Sequence, residues 1–307
     1  MRRRMACLLL CLLFQHASAV RAEAPRNTSL LARLKWSQFR LVQGRIEVAN
    51  INSSQTRTAT SGDEGDELVE TLTISGDTDV PSVRYGRHDP TGSVAITVIN
   101  GNRVEIDQTE TAPEVVSVSF RQQPGTDMVL CIGDGTGSQT HHAPTLWHLL
   151  VTAPDACESH LLPLLELLQP SWQFGEMLSR ATDELIREAD ASDFDKRHSA
   201  RSLIAKLKSS DFSTRQQAQQ QLGELGVGVL PYLNLIADSD LTREQQRRLE
   251  QVRVKLRGQV ADTPERIALW LVEDERIWLS MLAHDELPIR MFAATHLAKR
   301  FEKPIDY

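Results

Sequence analysis

The sequence predicts an α+β protein: a β-rich N-terminal domain over 23–152 followed by an α-helical domain of solenoid type over 153–307. Three observations predict it. The hydrophobic period is two from Phe39 to about Thr152, it becomes helical from Pro154 onward, and a helix-pair pattern recurs at a spacing of 75 residues within the helical half.

Residues 1–22 are set apart first. A basic cluster, Arg2-Arg3-Arg4, precedes a short apolar run from Ala6 to Phe14, and Ala17-Ser18-Ala19 supplies the small residues that a signal peptidase reads. This is the pattern of a secretory signal peptide, with cleavage after Ala19 or after Ala22. The apolar run is about half the roughly twenty residues needed to cross a bilayer. The expectation is export, to the periplasm or the cell exterior, without a membrane span after cleavage. The densest later apolar stretch, Leu161–Leu168, is short and interrupted by Pro163 and Glu166.

Cleavage at residue 22 removes 4 of the 34 basic residues and none of the 41 acidic ones, leaving a formal charge of −11. A nucleic-acid partner is therefore not expected, because phosphate-backbone binding rests on a concentrated basic surface. Cys7 and Cys11 leave with the signal, so Cys131 and Cys157 are the thiols of the mature chain. In an oxidising compartment they can form a disulfide, or they can remain two separate buried thiols; spacing alone does not decide between these.

In the β-rich region, alternation of β-branched and polar residues marks strands at Phe39–Gln43, Arg45–Asn50, Leu68–Ile74 and Val115–Phe120. The clearest unit is a hairpin: Ser93–Ile99, the turn Asn100-Gly101, and Asn102–Asp107. Asn-Gly supplies the positive φ angles of a tight turn, and Val94, Ile96 and Val98 share a face. Further strands are expected at Asp127–Ile132 and Thr145–Val151. A Ser/Thr/Gly stretch ending in Asp63-Glu64-Gly65-Asp66-Glu67 has little to bury and predicts a flexible acidic loop near 52–67. A second loop is expected from Gly133 to Pro144.

Helix signals follow. Thr263-Pro264-Glu265 places a capping hydroxyl before a first-turn proline and an acid, Thr242 with Gln245 fits a capping box, and Gly226 and Gly258 stand where helices stop. The 75-residue shift aligns Ile204 with Leu279, Leu207 with Leu282, Phe212 with Leu287, Arg215 with Arg290, Ala218 with Ala293 and Leu222 with Leu297. Each copy reads as a helix, a polar corner and a second helix with arginine in its first turn. A weaker copy, 32 residues after the first, runs through Ile236 and Arg247. One helix pair cannot cover its own apolar face, so stacking of neighbours is expected.

The run Leu207…Asp211-Phe-Ser-Thr-Arg215-Gln-Gln-Ala218…Leu222-Gly-Glu-Leu-Gly226, with Leu230-Pro-Tyr-Leu233, resembles the HEAT-like repeat of secreted proteins from planctomycete-type bacteria. Leu241-Thr-Arg-Glu-Gln-Gln-Arg-Arg and Asp262-Thr-Pro-Glu-Arg resemble it too, so the likeness covers roughly 145–307. It implies a protein-interaction scaffold with a protein partner, and it transfers no catalytic residue.

Arg215 and Arg290 form a ladder able to grip carboxylates, but pairing with Asp211 or with corner carbonyls makes Asp211, Arg215 and Arg290 structural residues of the repeat corner. His141, His142, His148 and His160 match no zinc spacing. Asp77, Asp79 and Asp134 lack the glycine and terminal glutamate of a calcium loop. Gly133-Asp-Gly-Thr-Gly lacks the lysine of a phosphate loop, and no serine elbow or catalytic-cysteine signature occurs. Trp147, Trp172, Trp270 and Trp278 sit beside leucines and read as core. No metal, cofactor or catalytic motif emerges. The leading expectation is an exported interaction scaffold; the alternative is an exported hydrolase with its site among the acids and histidines of the β-rich domain.

Overall fold

The computed structural model describes residues 29–31, 38–49, 51, 54–61, 67–110, 116–133, 137–191, 196–234, 236, 240–257 and 262–301. The chain is α+β, with its strands first. A hairpin of β1 (Gln38–Val42) and β2 (Arg45–Ala49) precedes an eight-stranded antiparallel sheet in sequential order: β3 (Gln55–Ser61), β4 (Leu68–Ser75), β5 (Ser82–Asp89), β6 (Gly92–Ile99), β7 (Arg103–Glu110), β8 (Ser117–Gln122), β9 (Met128–Gly133) and β10 (Ser138–Ala143).

One face of this meander is apolar. Leu72, Ile74, Val83, Tyr85, Ile96, Val98, Val104, Ile106, Val118, Phe120, Met128 and Leu130 are buried, as period-two alternation requires when helices cover one side. The turn between β6 and β7 has Asn100 at φ 53° and Gly101 at φ 74°. A β-carbon on Gly101 would lie 2.9 Å from the Val48 carbonyl oxygen. That oxygen belongs to the first hairpin, which crosses the end of the sheet and is tied there by the Val48 N–H donating to Gly101 O at 2.7 Å.

The helices are α1 (Leu146–Thr152), α2 (Pro154–Ala156), a π-turn (Cys157–Leu161), α3 (Leu162–Leu168), α4 (Phe174–Ala191), α5 (Lys196–Lys206), α6 (Phe212–Glu224), a 3-10 turn (Val227–Val229), α7 (Leu230–Asn234), α8 (Arg243–Arg257), α9 (Pro264–Leu271), α10 (Glu275–Met281) and α11 (Leu287–Phe301). The expected caps form. Thr263 accepts from Arg266 N, Thr242 and Gln245 bond reciprocally, and Gly226 leaves α6 at φ 76°. Gly258 lies outside the described residues.

Three expectations are corrected. Thr145–Val151 is not a strand: the Thr145 hydroxyl accepts from His148 N and starts α1, burying Leu146, Trp147, His148, Leu149 and Leu150 on successive positions. A helix end wedged between sheet and helices is apolar all round, which erases the 3.6-residue period. Ser138–Ala143, expected in a loop, is an edge strand paired with β9. Gln55–Ser61, expected within the acidic loop, is the opposite edge, paired with β4. Edge strands bury little, so a polar run can pair there without an apolar signature. Residues 52–53 and 62–66 of that loop lie outside the described residues.

Two apolar cores result. The larger joins the sheet and hairpin to α1–α4 and α9–α11. The smaller is built by Leu203, Ile204 and Leu207 of α5 and its corner, Ala218 and Leu222 of α6, Leu230 and Leu233 of α7, and Leu249, Val252 and Leu256 of α8. The pairs α5–α6 and α10–α11, related by the 75-residue shift, therefore sit in different cores.

Candidate functional site

The corner arginines make the same bonds in both copies. Arg215 Nη1 donates to Ser209 O at 2.8 Å and Ser210 O at 2.9 Å; Arg290 Nη1 donates to His284 O at 2.7 Å and Asp285 O at 2.9 Å. Each arginine reaches back six and five residues to carbonyls that the end of the first helix leaves unpaired. Asp211 is the N-cap of α6. Its carboxylate accepts from the Ser213 and Thr214 hydroxyls and from Thr214 N, and these bonds hold its pKa far below the usual carboxylate range. In the weaker copy Arg247 is exposed. The corner carbonyls of Leu233 and Ile236 are taken instead by Arg253.

Beside the first corner lies a polar seam between α6 and α8. Arg248 Nη1 donates to Gln219 at 2.8 Å and Arg248 Nε to Glu244 at 2.6 Å. Gln219 Nε2 donates to Gln251 at 2.8 Å. Above the seam stands Phe212, 61% exposed, with the Arg215 and Arg248 guanidinium carbons 5.7 and 5.5 Å from its ring centroid. A large exposed aromatic with two guanidiniums within about 6 Å of its ring centre has the chemistry of an interface anchor. The charge of the surrounding unit was missed in the sequence because it cancels in the total. Residues 196–257 hold twelve basic and six acidic side chains, while the rest of the mature chain holds eighteen and thirty-five. A windowed charge count is the signal that finds it.

A polar cluster ties the hairpin turn to α1 and to the segment before α9, all within the larger core, and reaches α7 of the smaller core through Asn234. Asp262 is buried; its Oδ1 accepts from Gln43 N, and its Oδ2 from Gly44 N and Trp147 Nε1, each at 2.7 Å. Burial pushes its pKa up, against these three bonds and the more distant Arg266. Arg45 donates to Pro144 O and Gln123 O; burial lowers its pKa to about 10, opposed by Asp127. A cavity of about 490 Å³ lies here, lined in part by Arg45, Glu47, Asn234, Glu250 and Arg253. Asn234 Nδ2 donates to Gln43 Oε1 at 3.1 Å. The remaining amide atoms, Gln43 Nε2 and Asn234 Oδ1, have no partner, yet they lie beneath the surface. Gln43 and Asn234 both line the cavity, and the bond between them joins the hairpin turn to α7.

The other sequence candidates are dispersed. His148 is in the core with both ring nitrogens engaged, Nδ1 with the Thr145 hydroxyl and Nε2 with Trp270 O. His141 and His142 lie on β10, whereas Asp77 and Asp79 lie between β4 and β5, five to six strand positions away or about 24–29 Å at ~4.8 Å per strand. His160 lies on the π-turn, and Asp134 lies outside the described residues. Among the described residues no three His, Cys, Asp or Glu side chains are grouped to hold a metal ion. Trp147, Trp270 and Trp278 are buried; Trp172 packs edge-on to Phe174.

Cys131 and Cys157 are both free. On β9 the side chains alternate, with Met128 and Leu130 turned to the core, so Cys131 points to the outer face beside the Thr140 hydroxyl. Cys157 is buried on the helix side, donates to Leu149 O, and has its pKa pushed up to about 12 by that burial. The sheet stands between them, so the disulfide considered from sequence is not formed. Among the described residues no helix is long and apolar enough to cross a membrane. No known protein family, curated protein or solved structure matches the chain.

Proposed function

We propose that this chain is an exported protein-interaction scaffold of a bacterial-type envelope, with α5–α8 as a HEAT-like, solenoid-type binding unit carried on the sheet-and-helix body. The observation that carries the reading is that α5–α8 has its own apolar core and presents Phe212 to solvent beside the arginines Arg215 and Arg248. The body supplies a rigid mount, since the hairpin turn, α1 and the start of α9 are clamped together through Asp262. The corner bonds shared by Arg215 and Arg290 support a common ancestry for the two helix pairs. Export rests on the signal-like segment 1–22, which lies outside the described residues; the protein recovered from the envelope is expected to begin at Val20 or Glu23.

Site-specific photo-cross-linking tests the binding reading. A cross-linker at Gln217, exposed on α6, is expected to trap a specific envelope protein. One at Thr71, exposed on the outer face of β4, is not. Trapping from Thr71 alone, or from neither position, removes the proposal.

A further inference from the structure

Resting on that reading, we propose that the exposed face across α6 and α8 around Phe212 binds an acidic polypeptide segment of the partner, with an apolar residue of that segment against the Phe212 ring. The exposed cations are Arg243, Arg247 and Lys255, with Arg215 and Arg248 behind them. Four acids lie near them: Asp211, bonded to the Ser213 and Thr214 hydroxyls, Glu244, paired with Arg248, Glu250, paired with Arg253, and Glu224, bonded to the Gln220 amide. Six cations, Arg215, Arg243, Arg247, Arg248, Arg253 and Lys255, outnumber these four acids, so the face carries an excess of positive charge in a chain that is negative elsewhere. Gln216, Gln217 and Gln220 along α6 add neutral donors and acceptors. Val254, 61% exposed on α8, lies two turns beyond Arg247 on the helix face that also carries Arg243, so the cations are interleaved with apolar surface.

Charge complementarity selects the occupant. The remainder of the mature chain has a net excess of seventeen acidic groups. A nucleic acid, with its dense and continuous phosphate charge, meets that repulsion along its whole length, whereas a short acidic segment reaches the basic face and ends. An anionic membrane is disfavoured in the same way, because the acidic body is brought to the same surface.

The test uses the full mature chain and four probes: a short labelled Glu/Leu peptide, its Gln/Leu counterpart, a single-stranded oligonucleotide, and phosphatidylglycerol vesicles. At about 20 mM salt the Glu/Leu peptide is expected to bind at least about tenfold more tightly than the Gln/Leu peptide, with the gap closing near 300 mM. The double variant Arg247→Glu/Lys255→Glu is expected to abolish the preference. Phe212→Ser is expected to weaken the Glu/Leu peptide about fivefold or more while leaving thermal unfolding unchanged. Equal binding of both peptides, tighter binding of the oligonucleotide or vesicles, or an unchanged preference in the double variant each overturns the inference. Failure here is separable from failure of the scaffold reading. If Gln217 still traps its partner in the double variant, the scaffold stands and this face is wrong; if the peptide binds but no partner is trapped, the face stands and the scaffold reading falls.

Discussion

At the scale of single residues, the turn Gln43-Gly44 and the Asp262 carboxylate decide whether the hairpin meets the helices. Gly44 has φ 65°, and a β-carbon there would lie 2.6 Å from Thr145 Cβ and 2.7 Å from Trp147 Cδ1. Gly44→Ala combines left-handed strain with overpacking and is expected to cost about 2–4 kcal/mol in urea unfolding. A loss below about 0.5 kcal/mol, as at an ordinary surface site, would refute the close approach. Asp262→Asn must turn an amide N–H₂ toward at least one of three N–H donors, at an expected cost of about 2–3 kcal/mol. Its pH dependence has a definite sign. The folded-state pKa of Asp262 is raised, so the native state holds the proton more tightly than the unfolded chain. Stability from this group rises as pH falls from the raised value toward about 3.9. The stability gap between wild type and Asp262→Asn is therefore expected to widen on acidification through that window; a gap that narrows would show that the three donors outweigh burial.

At the scale of elements, local chemistry made some of the fold readable, and tertiary position hid the rest. The Asn100-Gly101 hairpin, the Thr263 cap and the corner arginines were legible because each is set by residues within six positions of one another. The β10 and β3 edges and helix α1 were not: an edge strand needs only backbone pairing, and α1 is buried on most sides, so neither shows its period. The interaction face was half legible. Arg215 stood out by repetition, but Arg248 comes from α8 and only folding brings it over Phe212. The repeated corners yield a prediction at this scale. Arg215→Met and Arg290→Met each leave two carbonyls without their donor and are expected to cost about 1–2 kcal/mol. Hydrogen exchange should speed up at the corner and adjoining helix ends of the mutated copy alone. Equal loosening of both copies from one substitution would mean that the corners are not independent.

For the whole molecule, the arrangement of cores matters more than the boundary between strands and helices. The chain leaves the body after α4, builds α5–α8 around Leu249, and returns at α9, which packs against α4. Among the described residues, the smaller core is joined to the body by Trp270 Nε1 donating to Val227 O at 3.1 Å, by Asn234 donating to Gln43, and by the 3-10 turn packing on α9. A unit with fewer buried side chains and its own core can open before the rest. Leu249→Ala, at a position with no exposed surface, is expected to remove about 2–4 kcal/mol. That loss should appear as faster amide exchange in α5–α8, with exchange in the β6–β7 hairpin unchanged at low denaturant. Ile106→Ala, equally buried but in the sheet, should lower protection in both units, because α5–α8 loses its mount when the sheet unfolds. If Leu249→Ala instead exposes the sheet amides to the same degree, the two cores are one cooperative unit. A binding face on α5–α8 could then signal to the body only through global stability, not by local movement of the unit.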